Sequence, residues 1–332
     1  MPRQPGSFQR GLLRFIALVL GILLAVMLSV TVYFQHLLDR ANYVEPHIGF
    51  PLGENLSSLI PPSKESSPAD SPLIGGKGSG LVNILLIGQD RREGEDRARS
   101  DTMILCTFDT ETKEVTMTSF LRDLYVSIPG YSDNRINAAY AFGGSSLLTD
   151  TLKENFDIHV DGTVEVDFTQ FSQIIDMVGG VTMELRQDEA DAINASVPGS
   201  LTAGEQWLTG SQALAYSRIR NLDADGDFSR TNRQRKLITA LIRAYRDADL
   251  RAIVSMVTQA LPMISTDMSR LTLLRYAAEL FPVLASGDVA SQQIPADGSY
   301  SIQTINDMSV LVADMEATRQ FLRQTLLRDS NE

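Results

Sequence analysis

An apolar run without a single charge extends from Phe15 to Phe34 and is rich in Leu, Ile and Val, the length a helix needs to span a bilayer. Arg3, Arg10 and Arg14 precede it, whereas Asp39, Arg40 and Glu45 follow it. The positive-inside bias then leaves residues 1–14 in the cytoplasm and everything after the span outside it. Tyr33-Phe34-Gln35-His36 closes the run without a small-residue cleavage site, which favours a retained anchor over a cleaved signal peptide. Residues 35–80 are expected to be an extracytoplasmic linker, because Ser57 to Gly80 is rich in Ser, Pro and Gly and has no sustained apolar period.

The pattern changes at Val82-Asn83-Ile84-Leu85-Leu86-Ile87, whose nearly continuous apolar character predicts a strand buried on both faces. Thr102 to Phe108 and Val115 to Phe120 read as two more strands. The short polar link Asp109-Thr110-Glu111-Thr112-Lys113 suits an antiparallel connection between them. Helical periodicity marks Ser145 to Phe156, Phe168 to Val178, Ser211 to Tyr216 and Arg230 to Ala248, with a short strand after Gly179-Gly180. This alternation predicts an α/β fold, a mixed central β-sheet flanked by helices in an α-β-α sandwich, behind an N-terminal transmembrane helix. The main domain is expected at 81–248. Residues 249–332 are expected to form a C-terminal helical extension packed on it, with one strand near Gln292 to Ile302.

Charge narrows the chemistry. A net charge of −12 disfavours nucleic acid as a partner, so an anionic ligand must be held by a local basic cluster. The single cysteine, Cys106, lies in an apolar run and reads as a small buried hydrophobe; it excludes an intrachain disulfide and a CxxC site. Histidines are confined to His36, His47 and His159, which gives a histidine-based triad little support.

Twenty-four arginines stand against five lysines, and ten of those arginines fall within Asp90 to Arg122 and Arg218 to Arg235. Guanidinium forks suit bidentate phosphate recognition, although arginine runs also form solvated, salt-bridged surfaces. Position decides between the two. Asp90 follows the first strand, Asp101 precedes the second, and Arg122 with Asp123 follows the third. An antiparallel second and third strand would make Asp101 and Arg122 neighbours. If the first strand runs parallel to the third, Asp90 joins them at the rim where open α/β sheets bind ligands.

In the last predicted helix, Leu237, Ile238, Leu241 and Tyr245 define a buried stripe that leads back to Gln234, Arg230 and Asp227, whereas Arg233, Arg235 and Lys236 project elsewhere. Arg218 and Arg220, spaced i, i+2, would share one side of an extended segment. The helix amino terminus with these groups favours an anion; a purely structural alternative makes Asp227 an N-cap and Arg230 its ion-pair partner. Aspartates among converging arginines suit a pyrophosphate held with a divalent cation, and Mg²⁺ matches oxygen ligands where no His/Cys cluster invites zinc.

Ordered segments from about Asn83 to Ala244 then carry a family resemblance. They are Asn83-Ile84-Leu85-Leu86-Ile87-Gly88 with Asp90, Arg99-Ser100-Asp101-Thr102-Met103, Ser119-Phe120-Leu121-Arg122-Asp123 and Arg135-Ile136-Asn137-Ala138-Ala139-Tyr140. Gly179-Gly180-Val181, Leu208-Thr209-Gly210, Arg218-Ile219-Arg220, Gly226-Asp227-Phe228-Ser229-Arg230 and Arg233-Gln234-Arg235 continue the series.

The chain thus resembles the LytR-CpsA-Psr family. The resemblance implies an extracytoplasmic phosphotransferase that moves a glycopolymer, such as teichoic acid or capsule, from a polyprenyl (undecaprenyl) pyrophosphate carrier to peptidoglycan. It further implies that Asp101 and Asp227 associate with the metal and that Arg99, Arg122, Arg218 and Arg220 contact the pyrophosphate. Arg230 and Gln234 would line the same site, and Asp90 or Asp101 would serve as the base. Leu121 departs from the family pattern, since many relatives carry proline there. The faces of Phe168 to Val178 and Leu237 to Tyr245 are candidates for holding the lipid, or else ordinary core. Two other functions use the same pocket: a lipid-pyrophosphate phosphatase with water as acceptor, and a non-catalytic regulator that binds polyprenyl phosphates.

Overall fold

A computed structural model describes residues 42–43, 73–89 except Lys77, 99–223, 226–245, 259–269 and 289–327, with seven positions between 272 and 283. The expected span at 15–34, most of the expected linker and Asp90 lie outside these residues. Among the described residues, no helix is long and apolar enough to cross a membrane.

The chain runs through β1 (Asn42–Tyr43), β2 (Leu81–Gln89), β3 (Ser100–Asp109), β4 (Val115–Phe120), β5 (Tyr125–Val126), β6 (Asn134–Arg135) and α1 (Ile136–Phe156). It continues with β7 (Gly162–Asp167), α2 (Phe168–Met177), β8 (Val181–Leu185), α3 (Gln187–Ser196), β9 (Gly204–Leu208), α4 (Gly210–Arg218) and α5 (Asp227–Tyr245). After these come β10 (Ser265–Thr266), β11 (Val289–Ile294), β12 (Tyr300–Ile305), β13 (Met308–Ala313) and α6 (Met315–Leu326).

Period-two alternation places Leu81, Leu85 and Ile87 of β2 on one face of the sheet and Val82 and Ile84 on the other, all of them buried. The first face packs on α1 and α6 through Leu148, Leu152, Phe156, Leu322 and Leu326. The second packs on Met268, Tyr276, Leu280 and Val283, with Ile238 of α5 beside them. A third core joins Ile175, Met183, Ile193, Ala213 and Leu237 around β8. Helices thus cover both faces of a mixed sheet, as the apolar pattern predicts. Asn83, fully buried in β2, is satisfied: its amide donates to the carbonyls of Ile74 and His159, and its oxygen accepts from Thr107.

The central sheet has the order β1-β10-β7-β2-β3-β4-β11. β2 and β3 are antiparallel, as are β3 and β4, while β7 runs parallel to β2 and β11 parallel to β4. The carboxyl ends of β2, β4, β7 and β11 therefore open on one rim, together with the start of β3.

The differences from expectation have local causes. The stretch read as a spacer up to Gly80 already belongs to the fold at Ile74, which is fully buried and bridges to Ile158, and β1 pairs with β10. The helix expected at Ser145 to Phe156 is present as the second part of α1; Gly144, at φ 69° and ψ −159°, leaves the helical region and divides it from a first part that starts at Ile136. The tail, expected to be helical with one strand, holds β11, β12 and β13. Pro295 and the Asp297-Gly298 turn divide the stretch read as one strand, and β11 lies beside β4 at the edge of the central sheet. Cys106 is buried, and that burial pushes its thiol up to about 12.

Candidate functional site: a carboxylate and guanidinium cradle at the sheet rim

Strand register assembles the first half of the site. β3 and β4 pair Ile104 with Ser119, and three residues further along the same register Asp101 meets Arg122. Nη1 of Arg122 donates to Oδ1 of Asp101 at 2.8 Å. Leu121 is buried, and its N–H donates to the carbonyl of Ile294 at 2.9 Å. A proline at this position would lack that donor, so here leucine ties β4 to β11 one residue further. The carbonyls of Arg122 and Asp123 accept from the N–H groups of Asn137 and Leu311 at 3.3 and 2.9 Å. These bonds fix the turn that carries the arginine. Arg135 completes the rim, with Nη1 3.3 Å from Asp123 and Nη2 donating to the Ser309 carbonyl.

α5 supplies the second half. Gly226 takes φ 48°, and Asp227 is the first helical residue. Its carboxylate lies 3.1 Å from Nε of Arg122, 2.9 Å from Nη2 of Arg230 and 3.9 Å from Nε of Arg220. Arg220 reaches Asp101 as well, at 3.8 Å. Arg230 also donates to the Asp101 carbonyl at 3.2 Å. Arg122, from the turn after β4, and Arg220, from the segment after α4, thus each reach both carboxylates, and Arg230 of α5 adds an ion pair to Asp227. The ion pair between Asp227 and Arg230 expected of a structural cap is present, and it forms part of this larger cluster.

Arg230 is 2% exposed. Burial pushes its guanidinium down to about 10, opposed by Asp227 and reinforced by Arg220 and Arg122, so it stays charged at neutral pH. For Arg122 burial also acts downward, but the hydrogen bond it donates to Asp101 and the charges of Asp227 and Asp123 outweigh it and raise the value. Of the three cations only Arg230 is buried, and the Asp227 carboxylate beside it offsets the cost of that burial.

Gln234 lies one turn beyond Arg230. Its amide nitrogen donates to the Ser217 carbonyl at 3.4 Å, and its buried oxygen has no hydrogen-bond partner. Arg218 differs from expectation. It ends α4 rather than lying in an extended segment, and its guanidinium sits 4.8 Å over the Phe168 ring. Arg218 and Arg220 line a shared cavity of about 540 Å³, but only Arg220 reaches the carboxylates. Arg99 is exposed immediately before β3.

Sequence periodicity missed the behaviour of Arg233 and Arg235. Both project away from the cradle, as expected, yet both are buried. Arg233 donates to Glu189 at 2.9 Å, to the Ile219 carbonyl at 3.4 Å and to the carboxylate of Asp223. Arg186 grips the other oxygen of Asp223 at 3.1 Å. This network holds the segment 219–223 that bears Arg220. The signal for it, acidic residues far away in sequence on α3, carries no periodicity of its own.

Among the described residues, no group of three or more His, Cys, Asp or Glu side chains could hold a metal ion. Two carboxylates, Asp101 and Asp227, facing the same guanidinium groups still fit Mg²⁺, which takes one or two carboxylates and completes its shell from phosphates and water.

The fold thus gathers paired carboxylates and guanidinium groups at the sheet rim, where open α/β sheets bind their ligands. The chain belongs to the LytR-CpsA-Psr family: it matches the LytR_cpsA_psr family over residues 60–325. Regulatory protein MsrR of Staphylococcus aureus is 31% identical over 259 residues, covering 76% of each chain. The polyisoprenyl-teichoic acid–peptidoglycan teichoic acid transferase TagU of Halalkalibacterium halodurans is 38% identical over 164 residues, 48% of this chain and 52% of its own. Among solved structures, TagT bound to LI-WTA superposes with a TM-score of 0.61 at 28% identity, covering 75% of this chain and 90% of that one. YwtF (TagT) with bound octaprenyl pyrophosphate lipid gives 0.58 at 26%, covering 76% and 94%.

Proposed function

We propose that this chain is an extracytoplasmic phosphotransferase that moves a glycopolymer from a polyprenyl pyrophosphate carrier to peptidoglycan, anchored in the cell membrane by residues 15–34. The observation that carries the proposal is the cradle itself, with Asp101 and Asp227 cross-braced by Arg122 and Arg220, and Asp227 also paired with Arg230. The relatives named above, one called a teichoic acid transferase and one bound to a prenyl pyrophosphate, agree with it.

In this reading the three arginines neutralise the oxygens of the diphosphate and hold it in line, so catalysis comes from positioning and electrostatics. Arg218 and Arg99 flank the same rim, and Gln234 follows Arg230 one turn along α5. Asp101 and Asp227 would hold Mg²⁺, whose charge would further neutralise the phosphates when bound. A peptidoglycan hydroxyl, that of C6 on N-acetylmuramic acid, attacks the phosphorus nearest the glycopolymer. Its oxygen forms the new bond to phosphorus, the bond to the bridging oxygen of the diphosphate breaks, and the polyprenyl phosphate departs. The hydroxyl proton passes to a carboxylate, Asp90 or Asp101. The lipid tail would lie along the half-buried apolar side chains of α2, Phe168, Phe171 and Ile174.

Purified full-length protein with lipid-linked polymer and peptidoglycan oligomers should yield the adduct and polyprenyl phosphate. Arg122→Lys should lower that yield by about 100-fold while the protein stays folded, because lysine cannot span two carboxylates and a phosphate at once. Mg²⁺ removal by chelation should lower it as well. Rapid release of free phosphorylated polymer without an adduct would instead identify a lipid-pyrophosphate phosphatase. The name of the MsrR relative favours one further reading, a regulator that binds the lipid without turnover; unchanged lipid after long incubation would support it.

A further inference from the structure

α5 carries three buried arginines with three different environments. Arg230 is paired with Asp227, and Arg233 with Glu189 and Asp223. Arg235 is 5% exposed, yet among the described residues no carboxylate pairs with it. Its Nε donates to the Ser291 hydroxyl, and its buried Nη1 has no hydrogen-bond partner. Burial alone pushes the guanidinium down to about 10, with no compensating charge, so it is still a cation at neutral pH. A buried cation without a counterion is costly and is retained where something meets it.

The space it faces is a cavity of about 390 Å³ between α5 and the carboxyl end of β11, lined by Phe228, Asn232, Arg235, Gln292, Gln293 and Asp297 among others. This volume lies within the range of small-molecule sites. Phe228, Asn232 and Arg235, spaced i, i+4, i+7, form one stripe of the helix, beside the stripe of Asp227, Arg230 and Gln234 that faces the cradle. Because β11 runs parallel to β4, its carboxyl end opens on the rim that holds Arg122, so the cavity adjoins the reacting centre.

The lining is specific in kind. The Phe228 ring stacks on Tyr300 at 5.0 Å and forms an aromatic wall. The exposed Asn232 and the half-buried Gln293 offer amides, and Gln293 donates to the exposed carboxylate of Asp297 at 3.0 Å. Aromatic wall, amides and a carboxylate at the mouth suit a ligand rich in hydroxyl groups, and Arg235 adds a positive charge to the lining.

We propose that this cavity is a saccharide subsite for a pyranose bearing a carboxylate or phosphate, with Arg235 as the counterion of that group. The proposal deepens the transferase reading and rests on it for the origin of the sugar, which belongs either to the acceptor glycan or to the transferred polymer.

Binding can be measured without turnover, so failure of the subsite and failure of the transfer reaction are separable. Full-length protein in detergent would be titrated by saturation-transfer NMR with N-acetylmuramic acid, N-acetylglucosamine 6-phosphate and neutral N-acetylglucosamine. At least one anionic sugar should bind more tightly than the neutral one. Arg235→Met should weaken it at least about tenfold, and Asn232→Ala, a change at an exposed position, should weaken it in the same direction. Preference for the carboxylate sugar would point to the acceptor, and preference for the phosphorylated one to the polymer. Arg235→Met should also leave the melting temperature unchanged or raise it, since it removes an uncompensated buried charge. Equal binding of the neutral sugar, full binding by Arg235→Met, or a clear loss of thermal stability in that variant would overturn the proposal.

Discussion

The side chains of the rim are held by charge partners that come from distant parts of the chain, and Asp223 shows how directly this can be tested. Its carboxylate sits well below the usual range, first because Arg233 donates to it and then because Arg233 and Arg186 place positive charge beside it, against a desolvation that acts upward. A carboxylate depressed in the folded state contributes stability above its unfolded value and loses it as pH falls through the folded one. Wild-type protein should therefore lose more unfolding free energy between about pH 5 and about pH 3 than Asp223→Asn does. Urea titrations at the two pH values would check this. Parallel losses in both proteins would mean that the carboxylate does not anchor the segment bearing Arg220.

Helix placement depends on close backbone approach where α4 meets α2. The Gly210 N–H donates to the Asp176 carboxylate at 2.6 Å, and a Cβ at Gly210 would lie 1.9 Å from the carbonyl oxygen of Ser172. Glycine to alanine inside a helix ordinarily stabilises by about 1 kcal/mol. Here the sign should reverse, with Gly210→Ala costing about 1–3 kcal/mol through overpacking, read as a lower urea midpoint. The same substitution should displace α4 and hence Arg218, which ends it. The capping box of Thr209 and Gln212, with both reciprocal bonds present, starts this helix.

For the entire chain, the expected span at 15–34 would set where the proposed chemistry takes place. Full-length protein should sediment with membranes and resist extraction by high salt, whereas a version lacking residues 1–41 should be recovered in the soluble fraction, still folded, because the three cores described above are built from residues 74–327. Circular dichroism and fractionation would check both statements. A truncated protein that still sediments with membranes would place the attachment elsewhere.

Local pattern determined a good deal of this protein. The doubly apolar β2, the polar hairpin link before β4, the helices near α2, α4 and α5, and the neighbourhood of Asp101 and Arg122 all follow from periods of two and 3.6 and from strand pairing, which act over a few residues. Tertiary structure alone decided the rest. It set β11 beside β4, withdrew Arg218 onto Phe168 while bringing Arg220 to the carboxylates, and buried Arg233 against Glu189 of α3 and Asp223 but Arg235 against no acid among the described residues. These outcomes depend on which segments meet after the sheet closes. Electrostatic partners separated by tens of residues leave no periodic trace, because their attraction depends on distance in space and not along the chain.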